Sequence, residues 1–174
     1  MEALLDSISA DYTIDSSKVY STGMSNGGFM SFLLACQLSE RIAAVASVTG
    51  SMTPETFTAC NPQHSIPVLQ IHGTSDSTVP YLGASYTKPI NQVIEYWKDN
   101  NNIKVSADTS AIENINTSDG STVEKIQYQK GNSSSLVVHY KVEGGEHTWP
   151  GAWGNMDIKS SAIVWNFLSQ FEKN

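Results

Sequence analysis

Lys18-Val19-Tyr20-Ser21-Thr22-Gly23-Met24-Ser25-Asn26-Gly27-Gly28-Phe29-Met30-Ser31-Phe32-Leu33-Leu34-Ala35-Cys36-Gln37-Leu38 decides how this chain folds. Lys18 to Ser21 reads as a short strand. Gly23 to Gly28 is a glycine-bearing turn. Phe29 to Leu38 is apolar almost all round, which predicts a buried helix. A strand, a tight turn and a buried helix in immediate succession form the repeating unit of an α/β sheet.

The same alternation extends outward from this segment. Upstream, Leu4, Leu5, Ile8 and Tyr12 recur at helical spacing and predict a helix over residues 2–12, followed by a turn at Ile14 to Ser17. Downstream, Ile42 to Val48 and Val68 to His72 are continuous apolar strands, separated by a polar loop over 49–65 that contains Pro54 and Pro62. A loop over 73–84 leads to a helix over 85–100, marked by Ile90, Val93, Ile94 and Trp97 and ended by Asn100-Asn101-Asn102. Residues 104–120 are rich in Ser, Thr, Asn and Asp, with little apolar period. Val123 to Tyr128 and Leu136 to Val142 form a hairpin pattern around Lys130-Gly131-Asn132-Ser133. A Gly/Trp/Pro loop over 143–156 precedes a last helix over 157–172. Strands with continuous rather than alternating apolar character argue a mostly parallel sheet with helices on both faces. In such sheets, sites form at the carboxyl ends of the strands.

Composition bounds the function. The chain has 174 residues, 40% of them hydrophobic, which suits one domain with a real core. Ten basic residues against 17 acidic ones give a net charge of −7. That balance, with no Lys/Arg cluster, excludes a nucleic-acid footprint. No apolar run reaches the length needed to cross a membrane. Met1-Glu2-Ala3-Leu4-Leu5-Asp6 has no basic n-region and is not read as a signal peptide. Cys36 and Cys60 match no zinc spacing. Cys36 lies in the apolar run, so a buried free thiol is preferred over a Cys36–Cys60 pair.

Chemistry concentrates in three places. Gly23-Met24-Ser25-Asn26-Gly27 fits G-x-S-x-G in its required context, after a strand and before a helix. A sharp turn there lifts the serine hydroxyl above the sheet edge, beside a helix N-terminus. A serine is a weak nucleophile alone and needs a base, which in turn needs an orienting acid. Of four histidines, His64 lies in a polar loop, His72 ends a strand where it suits a structural role in the turn, and His139 sits mid-strand. His147, flanked by Gly144-Gly145 and Gly151 in a post-strand loop, is the expected base. For the acid, Asp76 follows strand Val68–His72 directly. Asp108, Asp119 and Glu143 lack such a strand-terminal turn, and Glu146 is too close to His147 in sequence to turn toward it.

Ser21-Thr22-Gly23-Met24-Ser25-Asn26-Gly27-Gly28, His72-Gly73-Thr74-Ser75-Asp76 with Val79-Pro80-Tyr81, and Gly145-Glu146-His147-Thr148-Trp149-Pro150-Gly151 together resemble the polyhydroxybutyrate depolymerase and feruloyl esterase group of α/β-hydrolases. Tyr12-Thr13-Ile14-Asp15 adds to the likeness. The resemblance implies an α/β-hydrolase fold with Ser25 as nucleophile, Asp76 as orienter and His147 as general base. It also implies a carboxylic-ester substrate, small, aryl or polymeric, with no metal and no organic cofactor. The Asn26 backbone N–H would supply one oxyanion donor. Met24 and Tyr81 would be substrate walls, and Trp149 either a wall or a loop anchor beside Pro150.

The early strands of that fold, and the His-Gly-Gly-like segment that supplies its second oxyanion donor, have no counterpart upstream of Ser25. The chain therefore resembles the C-terminal part of such a hydrolase. Strand 18–21 would then be an open sheet edge, expected to be covered in a homo-oligomer. Two other functions compete with an esterase: a catalytically impaired remnant serving as an assembly module, and a serine peptidase of the prolyl-oligopeptidase type. The Gly145–Gly151 segment favours the esterase. The resemblance suggests a secreted or periplasmic location. Asn116-Thr117-Ser118 and Asn132-Ser133-Ser134 match the glycosylation sequon, a weak signal in a serine-rich chain.

Overall fold

The computed structural model describes residues 1–130 and 135–173. Its elements run α1 (Glu2–Asp11), β1 (Tyr20–Met24), α2 (Asn26–Gln37), β2 (Ala44–Val48), α3 (Pro54–Ala59), β3 (Val68–Gly73), α4 (Ile90–Asn100), β4 (Asp108–Ala111), β5 (Thr122–Gln129), β6 (Leu136–Glu143) and α5 (Ser160–Leu168). They build one sheet in the order β1-β2-β3-β6-β5-β4. The first four strands in that order are parallel, and β6, β5 and β4 pair antiparallel.

Burial explains the order. Every residue of β2 and β3 is buried, and these two strands lie inside the sheet. Successive side chains point to opposite faces. Val45 and Val68 enter one core with Phe32 of α2 and Ile90, Val93, Ile94 and Trp97 of α4. Ala44, Ala46, Val48, Leu69 and Ile71 enter the other, with Val164, Phe167 and Leu168 of α5. Helices therefore cover both faces, as the apolar strands imply. On the first face the Phe32 and Trp97 rings stack with centroids 6.0 Å apart.

Three differences from the sequence reading have physical causes. The first strand is Tyr20–Met24 rather than 18–21, because Lys18 is held in the preceding turn, ion-paired to Asp15 and Glu172. The stretch 49–65 contains α3, whose N-cap Thr53 accepts from the Thr56 N–H at 3.1 Å and whose first turn starts at Pro54. That Thr-Pro-Glu start is a cap signal hidden in a polar segment. The polar stretch 104–120 contains β4, fully exposed on the sheet's outer margin, so it carries no apolar alternation.

The cysteine expectation is corrected. Cys36 and Cys60 form a disulfide, with Cα atoms 4.8 Å apart. Cys36 lies in the last turn of α2 and Cys60 is the C-cap of α3, so α3 carries one thiol to the other. Residues 131–133 of the expected hairpin turn around Lys130-Gly131-Asn132-Ser133, and with them the sequon at Asn132, lie outside the described residues.

Among the described residues β1 has a neighbour on one side only, so its other edge is open as expected. α1 buries none of its residues and leaves Leu4, Ile8 and the following Tyr12 exposed. Among the described residues no helix is long and apolar enough to cross a membrane.

Candidate active site

β1, β3 and β6 run parallel, so their carboxyl ends share one edge of the sheet, and the three expected residues all leave from that edge. Ser25 follows β1 directly and is the N-cap of α2, with φ 54° and ψ −118°. A positive φ is a strained conformation for serine. It is held there by its own N–H, which donates to the Val48 carbonyl at 2.9 Å, and by its carbonyl, which accepts from Gly28 and Phe29. The turn also needs glycine at position 23, where a Cβ would come within 2.7 Å of the Gly27 Cα. Asn26, exposed in the first turn of α2, keeps its backbone N–H free of any acceptor among the described residues. Such orphan donors are usual in a helix's first turn.

Asp76 and His147 are joined across a span of 71 residues. His147 Nδ1 lies 2.8 Å from Asp76 Oδ2. The two loops that carry them are stapled together. Thr74 N–H donates to Val142 and Ser75 N–H to Gly145, both at 2.9 Å, and Gly144 N–H donates to Thr74 Oγ1. Gly73 permits this approach, since a Cβ there would lie 2.8 Å from the Glu146 carbonyl oxygen and closer still to the backbone of Gly145.

The two Asp76 oxygens divide their work. Oδ1 accepts from the Thr78 and Val79 N–H groups at 2.9 and 2.8 Å, an Asx-type turn. Oδ2 takes His147 and also lies 3.4 Å from His72 Nε2. Burial alone would raise this carboxyl. Hydrogen bonds from His72, the Val79 N–H and His147 outweigh that effect and hold it down at about 2. Asp76 is therefore ionised at any ordinary pH.

An ionised Asp76 accepts the Nδ1 hydrogen of His147 and leaves Nε2 as the acceptor. The imidazole is one-fifth exposed. Neither its Nε2 nor Ser25 Oγ has a hydrogen-bond partner among the described residues, so the contact between the expected base and the expected nucleophile stands open. Contacts of this kind commonly tighten only when substrate binds.

The remaining expected residues sit as follows. Met24 ends β1 beside Ser25 and is partly buried. Tyr81 turns inward: its hydroxyl meets His139 Nε2 at 2.9 Å, its ring packs at the core, and burial pushes its hydroxyl up to about 12. Trp149 donates from Nε1 to Ser161 Oγ of α5 at 3.1 Å and packs on the second core, contacts of a loop anchor. His64 pairs with Glu40 at the surface, and His139 is a packed, buried imidazole. Asp119 caps the Ser121 and Met156 N–H groups, away from His147. Among the described residues no group of three or more His, Cys, Asp or Glu could hold a metal ion. A cleft of about 410 Å³ between β5, β6 and α5, and one of about 510 Å³ near Ser39 and Pro67, are lined by none of Ser25, Asp76 and His147.

His72 is the residue the sequence reading undervalued. It was expected to serve only its turn, yet its ring reaches Asp76. The signal was the spacing His72-Gly73-Thr74-Ser75-Asp76, which returns the chain onto the strand end it has just left.

Residues 1–117 match the phospholipase/carboxylesterase family, a stretch that includes Ser25 and Asp76. The chain is similar to a bifunctional acetylxylan esterase/xylanase of Neocallimastix patriciarum, 25% identical over 97% of this chain and 22% of that protein. It is similar to feruloyl esterase B of Piromyces equi, 29% identical over 94% of this chain and 29% of that one. A third relative is feruloyl esterase D of Neurospora crassa, 28% identical over 97% of this chain and 53% of that one. The chain thus spans between about a fifth and a half of these relatives' length. Among solved structures, an acetyl xylan esterase from Aspergillus awamori superposes with a TM-score of 0.64 at 17% identity, covering 97% of this chain and 66% of that one. A thermostable esterase superposes at 0.58 and 17% identity, covering 98% and 35%. Family and fold agree: the chain belongs to the phospholipase/carboxylesterase family of α/β-hydrolases.

Proposed function

We propose that this chain hydrolyses carboxylic esters through an acyl-enzyme. The observation that carries the reading is the 2.8 Å bond between Asp76 and His147 at the same sheet edge as a strained serine. His147 Nε2 takes the Ser25 hydroxyl proton as Oγ attacks the ester carbonyl. The carbonyl oxygen becomes an oxyanion, which accepts from the Asn26 N–H at the positive end of α2. The tetrahedral intermediate collapses, the alcohol leaves with the proton from His147, and water repeats the sequence to release the acid. Asp76 stabilises the imidazolium in both halves and stays ionised throughout.

Aryl esters of the feruloyl kind and acetyl esters are the favoured substrates, on the likeness to the feruloyl and acetylxylan esterases above; hydroxyalkanoate esters are the next class. Met24 is assigned to the substrate wall. The Asn26 N–H is the one oxyanion donor assigned; a second N–H from another segment or chain would add roughly 10²- to 10³-fold in kcat. Hydrolysis of p-nitrophenyl acetate and methyl ferulate by wild type and Ser25→Ala tests the reading. Equal rates would overturn it, and cleavage of aminoacyl amides alone would reassign the chain to peptidases.

Two further assignments belong to the same reading. The disulfide supports an oxidising, exported location. The open edge of β1 and, separately, the exposed apolar side chains of α1 support a second copy as their cover. Sedimentation at micromolar concentration is expected to show a dimer or larger species, and a single monomer boundary refutes that assignment.

A further inference from the structure

Beneath the Asp76 loop lies a second imidazole that the reaction above does not use. His72, in β3, is wholly buried. Its Nε2 lies 2.8 Å from the Val79 carbonyl oxygen and 3.4 Å from Asp76 Oδ2, the oxygen that also takes His147. Its Nδ1 lies 2.9 Å from the side-chain nitrogen of Gln70.

The direction of these bonds follows from one fixed group. Gln70 Nε2 also lies 2.9 Å from the Gly50 carbonyl oxygen. A carbonyl only accepts, so the amide must turn its NH₂ toward Gly50. The second hydrogen of that NH₂ then points at His72 Nδ1, which must accept. An imidazole accepting at Nδ1 carries its hydrogen at Nε2. That hydrogen faces two acceptors, the Val79 carbonyl and the Asp76 carboxylate. The arrangement leaves Gln70 Oε1 buried without a hydrogen-bond partner among the described residues.

We propose that His72 is a positioning residue: its Nε2–H, aimed by the Gly50–Gln70 pair, holds Oδ2 of Asp76 where it orients His147. This inference rests on the triad reading above. A neutral donor suits the task better than a cation. A proton on Nδ1 would face the Gln70 N–H, donor against donor, and a charged His72 would cancel the carboxylate charge that stabilises the His147 imidazolium. The surroundings keep this role distinct from simple packing. Tyr81 meets the His72 ring edge-on at 5.9 Å. Its hydroxyl is engaged by His139, whose Nδ1 lies 3.2 Å from the Gln70 carbonyl oxygen. Burial pushes His139 down to about 4, so the imidazole that engages Tyr81 carries no charge at neutral pH.

The test compares His72→Gln, His72→Asn and His72→Phe in the whole chain. A glutamine amide reaches the place of the imidazole Nε2, an asparagine amide only that of Nδ1, and phenylalanine donates from neither. With p-nitrophenyl acetate, the Asn and Phe variants are expected to lose roughly 10- to 100-fold in kcat with KM within about twofold. The Gln variant is expected to recover most of the loss. If the Phe variant does not fold, Asn against Gln gives the same comparison. Wild-type kcat in the Asn variant, or equal losses in Asn and Gln, would overturn the proposal. A second readout needs no turnover: the low-field proton resonance of His147 Nδ1–H, assigned by its absence from His147→Gln. It is expected to persist in His72→Gln and to broaden away in His72→Asn; its persistence in both would also overturn the proposal. Should Ser25→Ala hydrolyse esters as fast as wild type, the ester-hydrolase reading falls, while this resonance still decides the role of His72.

Discussion

The acid–base end of the candidate site and its nucleophile end are built differently. Asp76 and His147 hang from β3 and β6, neighbouring strands inside the sheet, and backbone hydrogen bonds staple their loops together. Ser25 hangs from β1, an edge strand with no fully buried residue. The expected acid–base end has its Asp76–His147 bond, its stapled loops and a buried imidazole beneath Asp76. The nucleophile end has its strained turn and one free N–H, but half of its strand pairing is open. The most recognisable motif thus sits on the less supported strand. A sequence motif reports local backbone geometry, whereas rigidity comes from strands on both sides.

The largest expected effect tests the nucleophile end. Ser25→Ala should lower p-nitrophenyl acetate hydrolysis by at least roughly 10³-fold, to the level of buffer, without changing the thermal midpoint. Next, Gly73→Val should separate the stapled loops, since its side chain would overlap the Gly145 backbone. A shift of the order of an ångström in His147 corresponds to a kcat loss of about 10²-fold with substrate binding largely kept. Both ends depend on α2, which the disulfide ties to α3. Replacing Cys36 and Cys60 together with serine should cost about 2–4 kcal/mol of stability, read by urea denaturation.

The smallest effect belongs to the acid–base end alone. The folded-state value of Asp76, about 2, lies below its ordinary 3.8. A depressed carboxylate contributes stability that is fully present above the unfolded value and is lost as pH falls through the folded one. Between about pH 4 and pH 2 the wild type should therefore lose on the order of 2 kcal/mol that Asp76→Asn does not lose. Parallel slopes for the two proteins would mean that the Asp76 bonds are not formed in solution.

Much of this architecture was legible in the residues. The turn at Ser25 was legible because glycine at 23, where a Cβ would meet the Gly27 backbone, answers a steric demand that few other residues meet. Asp76 and His147 were legible because each follows a readable strand on a glycine-bearing loop. The disulfide was not, and the reason is specific. Cys60 reaches Cys36 only because α3 folds between them, and α3 is a short helix in a polar segment whose apolar period is too brief to notice. β4 was hidden for the opposite reason, having both faces exposed. The role of His72 depends on how Gly50, after β2, aims the Gln70 amide that shares β3 with His72. Pairing of that kind is set by strand register and has no local signature.

The Cys36–Cys60 bond has a consequence beyond stability. The segment it closes contains β2, the strand that joins β1 to β3, together with the exposed turns of α3. A protease that cuts anywhere between the two cysteines releases no fragment, because both new ends stay tethered through the bridge. Limited proteolysis would leave this region nicked but assembled, visible as one band without reductant and two with it.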